Sequence, residues 1–345
     1  MLHNFSNKVR LFAFACLAGM AFSGCSLLEE DLEPCPAQLQ LQFVYNYNLL
    51  KADAFPTQVK SVNVWAFDPS GACVWSGAES GDKLAEPGYV MVTPLEEGTY
   101  DFVVWAGLDN NTDFNLATYT PASKQELEVT LNTISSDGLN ISSSQFSGLF
   151  HGYVGNVSYS VNPQAPSIKT VTVPLVKDTN NIAVMLCNIN GFPLDTKDFT
   201  VEISYADSWL AWNNNVMANS PLVTYKPWSY SYGQTTLQPA YAPGETAARS
   251  SILYELSMSR LILNGDAYIN VYRNTDGHRI IHLPLIEYFL IEKGSRYDEF
   301  GDQEYLDRRD DYSLLFFIAD DMNWYMAAGI YINGWVVVPT QDGQV

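Results

Sequence analysis

Residues 99–108 read TYDFVVWAGL, and the run from Phe102 to Ala106 is unbroken apolar sequence rich in β-branched and aromatic types. A run this short, preceded by the turn sequence LEEGTY (95–100), predicts a strand covered on both faces, as in the interior of a β-sandwich. The neighbouring segments fit that setting. LQLQFVYNY (39–47) sets Leu39, Leu41, Phe43, Tyr45 and Tyr47 on one face, and VKSVNVWAF (59–67) alternates Val62, Val64 and Ala66 against Trp65 and Phe67. Both have the period of two expected of strands, with DPSGA (68–72) as a turn after the second. QELEVTL (125–131), GLFHGYVGNVSYSV (148–161) and IKTVTVPLVK (168–177) extend the series. Seven or so strands at this spacing predict a sandwich.

A second series follows KDTNN (177–181): IAVMLCNI, DFTVEISYA, LVTYKPWSY, ILYELSMSRLIL, AYINVYRN, RIIHLPL, DYSLLFFIA and AAGIYINGWVVV. Helix is expected only in PLIEYFLIEK (284–293) and DQEYLDRRDDY (302–312). The expectation is an all-β chain of two similar sandwiches in tandem, residues 37–178 and 179–345, with a few short helices.

What precedes residue 37 has a different character. Lys8 and Arg10 form a basic n-region and residues 11–22 an apolar stretch of about a dozen residues, shorter than the roughly 20 that span a bilayer. Residues 1–24 therefore read as a signal peptide. Phe22-Ser23-Gly24-Cys25 is similar to a bacterial lipobox, which implies fatty acyl chains of the palmitate class on Cys25 at the start of the mature chain. Multiple acyl chains, at about 0.8 kcal/mol per buried methylene, hold a protein stably on a membrane. Ser26 in place of Asp implies outer-membrane sorting, by similarity to Gram-negative lipoproteins. The acids Glu29, Glu30, Asp31 and Glu33 make residues 25–36 a solvated acidic tether that resembles a surface-export signal.

The formal charge is −20, and removal of the signal deletes two cations and no acid. Nucleic acid is excluded as a partner, because phosphate binding needs clustered Lys and Arg. Charged residues are 16% of the chain, against roughly 25% in an average globular protein, while aromatics reach 13%. That is the composition of half-buried strands.

Catalytic patterns are sparse. No G-x-G-x-x-G, G-x-x-x-x-G-K-[ST] or H-E-x-x-H occurs. The mature chain has only His151, His278 and His282. The last two share a face if GHRIIH is extended, but a zinc site needs further ligands. The acids of YDEFGDQEYLDRRDDY (297–312) interleave with Arg308 and Arg309, follow Arg296, and lack the order of a calcium loop. They read as a self-neutralised surface turn. Neither an enzyme nor a metal or other cofactor is expected. Of the five cysteines, Cys16 lies in the signal and Cys25 at the lipid site. Cys35, just before the first strand, and Cys73, in the turn after the second, are the first pair to test for a disulfide. Cys187, in an apolar strand, reads as an inert buried thiol.

The ordered set of the Cys25 lipobox, EEDLEPCP, FVYNYNLLKADAF, VKSVNVWAFDPSG, EGTYDFVVWAGL, VPLVKDTNNIAVML, SRLILNG, QEYLDRRDDYSLLFF and GIYINGWVVVP resembles the FimB-type family of fimbrial anchor proteins. These are the fimbrillin-associated lipoproteins at the base of the major and minor fimbriae of certain anaerobic Gram-negative bacteria. The resemblance implies two transthyretin-like β-sandwich domains without a catalytic site. They would be tethered by lipid to the cell outer membrane, would anchor the fimbrium (pilus) and would limit its length, with a fimbrillin shaft subunit as partner. The joint would be β-strand addition. The alternative is a surface lipoprotein that binds glycan or a host ligand through a sandwich, its eight Trp and many Tyr forming a platform.

In the polymerising relatives an arginine-specific protease removes the first strand of the N-terminal sandwich and opens a groove for a neighbour's strand. No arginine lies between Cys25 and Arg249, so such an enzyme cannot release the segment 39–47 here. With the first groove filled, the expected shaft contact is the C-terminal sandwich or its closing segment: Gly329, Ile330, Tyr331, Ile332, Trp335, Val336, Val337 and Val338.

Overall fold

The Phe102–Ala106 run lies in the middle of a seven-stranded sheet and is buried on both faces. The structure, a computed structural model, describes residues 37–162, 164–240 and 248–337. Its first half contains β1 (Ala37–Val44), β2 (Ser61–Phe67), β3 (Cys73–Ser80), β4 (Met91–Thr93), β5 (Gly98–Ala106), β6 (Phe114–Leu116), β7 (Val129–Leu131), β8 (Ile134–Ser136), β9 (Leu139–Ser142), β10 (Phe150–Tyr159) and β11 (Ser167–Lys177). The second half contains β12 (Asn180–Asn188), β13 (Phe199–Tyr205), β14 (Trp209–Leu210), β15 (Val223–Tyr225), β16 (Ser229–Thr235), β17 (Arg249–Met258), β18 (Tyr268–Arg273), β19 (His278–Pro284), β20 (Asp311–Ile318), β21 (Ile330–Ile332) and β22 (Trp335–Val337). Helices are α1 (Phe55–Gln58), α2 (Leu285–Lys293) and α3 (Asp302–Arg308). The chain is all-β, as expected.

The seven-stranded sheet has the order β3-β2-β5-β10-β11-β1-β4. One face presents Trp65, Phe67, Val103 and Trp105 to the small sheet β14-β7-β6, where Phe114, Leu116, Val129 and Leu131 pack on them. Trp105 Nε1 donates to Leu127 O at 3.4 Å and Trp65 Nε1 to Tyr119 O at 3.0 Å, so neither indole is buried unpaired. β1 lies between β11 and β4, with Leu39, Leu41 and Phe43 buried.

Two six-stranded sheets, β16-β17-β12-β20-β21-β22 and β19-β18-β13-β15-β9-β8, share the second core. Ile182, Val184, Leu314 and Phe316 from one meet Val201, Ile203, Ile269 and Val271 from the other. The central β12–β20 pair is parallel. The cluster is continuous with Trp65 and Trp105, so one buried apolar body runs through both halves. Residues 37–38, 160–162 and 164–168 group apart from the rest, and there Asn162 N donates to Ser167 Oγ at 2.7 Å.

The halves exchange strands. The β8–β9 hairpin of the first half completes a sheet of the second through the parallel β9–β15 pair, and β14 of the second half pairs with β7 of the first. The expected boundary, Asp178 to Asn181, joins β11 to β12, and Asp178 is fully buried there. Its Oδ1 accepts from Asn214 Nδ2 at 2.8 Å. Arg260, 3.8 Å from Asp178, is bidentate to Asp307 at 2.9 and 2.9 Å. Burial pushes the Asp178 carboxyl up to about 7 against the pull of Arg260.

Local structure departs from the sequence reading in several places. LVTYKPWSY is not one strand: its ends are β15 and the start of β16, in different sheets. AAGIYINGWVVV folds back on itself as β21 and β22, and the strand expected over 252–263 ends at Met258. α1, β3 and the β8–β9 hairpin were not foreseen. The stretch 297–312 is not a self-neutralised surface turn. Tyr305, Leu306 and Asp307 are buried, while Asp307 pairs with Arg260 and Arg309 with Glu292, both outside that stretch.

Candidate functional site

β20 alternates in the way that fixes its two faces: Tyr312, Leu314 and Phe316 point into the core, and Asp311, Ser313, Leu315 and Phe317 stand on the other face. β21 pairs with β20 and turns into β22 through Asn333 and Gly334. Both turn residues have positive φ, 49° and 90°. A two-residue turn of this kind favours Asn-Gly, because its twist matches that of the strands.

The turn is held from three sides. Asn333 N donates to Ser313 O at 2.8 Å, and Ser313 N donates to Asn333 Oδ1 at 2.6 Å. Asn333 Nδ2 donates to Glu292 Oε2 on α2. Glu292, only 3% exposed, also accepts from Arg309 Nη1 at 2.9 Å and from Tyr305 Oη at 3.0 Å. Gly329, φ 78°, starts the hairpin where a Cβ would come within 2.9 Å of Val336 and 3.0 Å of Val337 O.

Beyond this support lies a sheet edge. Among the described residues no strand pairs with the outer side of β22. Trp335 is 57% and Val336 45% exposed. Trp335, Val336, Val337 and Ile332 face Ile291, Gly294 and Arg296 across a cavity of about 250 Å³. An open edge offers unpaired N–H and C=O groups to an extended partner, and the cavity offers room for its side chains.

The expected contact residues divide. Ile330 and Ile332 are core, fully buried. Tyr331 is half-buried and its Oη donates to Gln238 O at 2.9 Å. Trp335 and Val336 form the accessible surface, with Val337 half-buried beside them. Val338, Cys25 and Cys35 lie outside the described residues. Cys73 is half-buried and has no disulfide partner among the described residues; its thiol donates to Trp75 O at 3.5 Å, and burial raises it above the usual thiol range. Sequence reasoning missed the supports Glu292, Tyr305, Arg309 and Asn333. Only the Asn-Gly between two apolar runs carried a signal.

The remaining candidates separate in space. His151 is buried against Trp105 with Nε2 at 2.7 Å from Trp212 O, and burial holds it down to about 4. His282 stacks on Tyr268 and its Nδ1 lies 2.8 Å from Asn270 Oδ1. Among the described residues no three His, Cys, Asp or Glu side chains are grouped to hold a metal, and no helix is long and apolar enough to cross a membrane. Burial pushes the Cys187 thiol up to about 11.

The chain matches, over residues 32–340, the family described as fimbrillin-A associated anchor proteins Mfa1 and Mfa2. It belongs to that family. Solved structures share the fold. A candidate adhesin of Bacteroides thetaiotaomicron is 31% identical, with a TM-score of 0.76 over 89% of this chain and 100% of that one. A candidate adhesin of Bacteroides ovatus is 24% identical, with a TM-score of 0.70 over 92% and 99%. The fimbrial anchor protein Mfa2 of Porphyromonas gingivalis shares the fold at 16% identity, with a TM-score of 0.63 over 88% and 99%. None of the curated proteins matches. Membership of the anchor family gives the chain a structural role at cell-surface fimbriae.

Proposed function

We propose that the chain is an outer-membrane lipoprotein that holds a fimbrium at the cell surface and limits its length. Acyl chains on Cys25 fix one end to the membrane, and a fimbrillin shaft subunit joins by adding a strand to the free side of β22. The observation that carries the joint is the edge at Trp335 and Val336, which no strand covers among the described residues, set on a hairpin tied to α2 by the Asn333–Glu292 hydrogen bond. β1 supports the same choice: it has neighbours on both sides, β11 and β4, and no arginine between Cys25 and Arg249 offers a cut that would free it. A growing polymer meets a member that is immobile at one end, and growth stops there.

The test uses fimbriated cells carrying only a variant of this chain. Trp335→Glu with Val336→Glu places two charges on exposed positions and leaves the core unchanged. The expected result is fimbriae shed into the medium while the variant itself stays in the outer-membrane fraction. Retention of fimbriae by that variant refutes the β22 joint. Cys25→Ala should release the folded chain from the membrane together with its fimbriae, and a Cys25→Ala chain that still fractionates with the outer membrane refutes the lipid tether.

A further inference from the structure

Natural sheets protect their edges with short strands, charges or prolines, since an unprotected edge invites another chain to pair. Most edge strands here follow that rule. β4, β6, β8, β14 and β22 are three residues or shorter. β3 carries Glu79, paired with Lys83, and β19 carries His278, Arg279 and His282 and ends at Pro284. β16 follows none of it. It is seven residues long, Ser-Tyr-Ser-Tyr-Gly-Gln-Thr, without charge or proline. Residues 230–234 are exposed, Tyr230 by 59% and Tyr232 by 60%, and among the described residues only β17 pairs with it.

The face beside this edge has a definite chemistry. Cross-strand partners share a face, so Ser229 stands with Glu255, Ser231 with Leu253 and Gly233 with Ser251. The β16 members are all small. A long side chain on a strand added outside β16 can therefore lie across it and reach β17, two strand spacings or about 9.6 Å away, a gap that a Lys or Arg and a Glu close between them. Glu255 has no hydrogen-bond or ion-pair partner for its carboxylate among the described residues. It lines an open trough of about 490 Å³ with Ala183 and Ser313 beside it on the same row, and Trp228, whose buried indole N–H is unpartnered, lines the trough too.

We infer that β16 is a receptor edge for an extended segment of a second polypeptide, which pairs along Ser229–Thr235 with a Lys or Arg beside Ser229 and an apolar residue beside Ser231. The cation enters the trough and meets Glu255. The apolar side chain crosses Ser231 onto Leu253, which is half-buried and has Met185 next to it in the row. Residues on the other face of the added strand pack beside Tyr230 and Tyr232. An acid in the first position is rejected by Glu255. The inference does not depend on how the shaft joins, because β16 and β22 are opposite edges of one sheet and both can be filled.

The probe is a set of acetylated nine-residue peptides of alternating Thr and Val with Lys, Ala or Glu as a guest at the central position, titrated onto the full-length protein in detergent. Fluorescence anisotropy reports affinity and amide hydrogen exchange reports which strand is covered. Expected are protection of β16 and a Lys-over-Glu preference of about tenfold, consistent with a half-exposed ion pair replaced by a like-charge contact. Glu255→Lys should invert the order of the guests. Ser229→Trp, which blocks the crossing while an unchanged melting temperature certifies the fold, should erase the preference. Equal affinity for Lys and Glu guests, no inversion with Glu255→Lys, or no protection of β16 at millimolar peptide overturns the inference. Binding of a neutral oligosaccharide in the trough, lost with Glu255→Lys, in the absence of peptide binding overturns it in favour of a sugar site.

Discussion

Glu292→Ala tests whether the β21–β22 edge is held in place by the helices behind it. The carboxylate is 3% exposed and receives Arg309, Tyr305 and Asn333. Its removal leaves a guanidinium of 15% exposure without its acid, and breaking a buried ion pair costs about 3–5 kcal/mol. Arg309 keeps a bond to Asp311 O at 2.9 Å and lies 5.4 Å from the centre of the Tyr312 ring, so the lower end, about 3 kcal/mol, is expected. Glu292→Gln keeps an acceptor for Asn333 or Tyr305 and loses only the charge, which places it at about 1–2 kcal/mol. The loss should be local before it is global, because the Asn333 turn is attached through this carboxylate. Urea denaturation gives the energies and hydrogen exchange the location, with amides of Ile330–Val337 opening in Glu292→Ala at a denaturant concentration where β12 and β17 remain protected. A cost below 1 kcal/mol, or exchange that rises equally in all strands, refutes the idea that Glu292 fixes the edge.

Asp207 is fully buried beside Tyr225, which donates to it, and burial pushes its carboxyl up to about 7 from 3.8. Between those values the folded chain holds a proton that the unfolded chain has lost, so this group's contribution to stability falls as pH rises from about 4 to 7, by at most about 4 kcal/mol. Asp207→Asn should remove that contribution and leave in place the like slope of Asp178, also pushed up to about 7, and the opposite one of His151, held down to about 4; an unchanged difference in stability between pH 5 and pH 8 refutes this. Arg260→Ala leaves Asp307 and Asp178 buried without their cation and should destabilise the chain by about 3–5 kcal/mol in urea denaturation. Terminal sequencing of the mature protein should find no new N-terminus between Ser26 and Arg249, because that stretch offers no arginine to cut after, and a new N-terminus beyond residue 50 refutes the filled groove.

The strands of the core were legible because each has a covered face. Alternation in 39–47 and the double-sided run in 99–108 follow directly from burial, and both carry strands, β1 ending at Val44 and β5 at Ala106. What escaped was set by partners distant in sequence. SYSYGQT has no apolar alternation, since as an edge it has almost nothing to cover, and its strand character comes from pairing with β17. The β8–β9 hairpin is half polar for the same reason and is placed by β15, some eighty residues further on. The site was half legible. Trp335 and Val336 were picked out as part of the closing segment, which was read as one strand rather than a hairpin, but the role of Glu292 was invisible: a lone acid in a helix looks solvated until Arg309, Tyr305 and Asn333 reach it. The same holds for Asp307, which reads as one acid among many until Arg260 reaches it.

Strand exchange between the halves bears on the proposed anchoring role. A chain fixed at its N-terminus and gripped near its C-terminus carries any pull on the fimbrium from one half to the other. Two sandwiches joined by a single peptide would transmit that pull through Asp178 to Asn181 alone. Here β9 is paired into the second half, β14 into the first, and Asp178 sits beside Arg260, which is bonded to Asp307 of α3. Separation of the halves would strip both short ladders and leave an uncompensated charge in a buried setting, which makes the steps cooperative. The continuous core from Trp105 to Phe316 adds apolar area to the same event. The halves are therefore expected to yield together, at a load set by the whole body rather than by the weaker sheet.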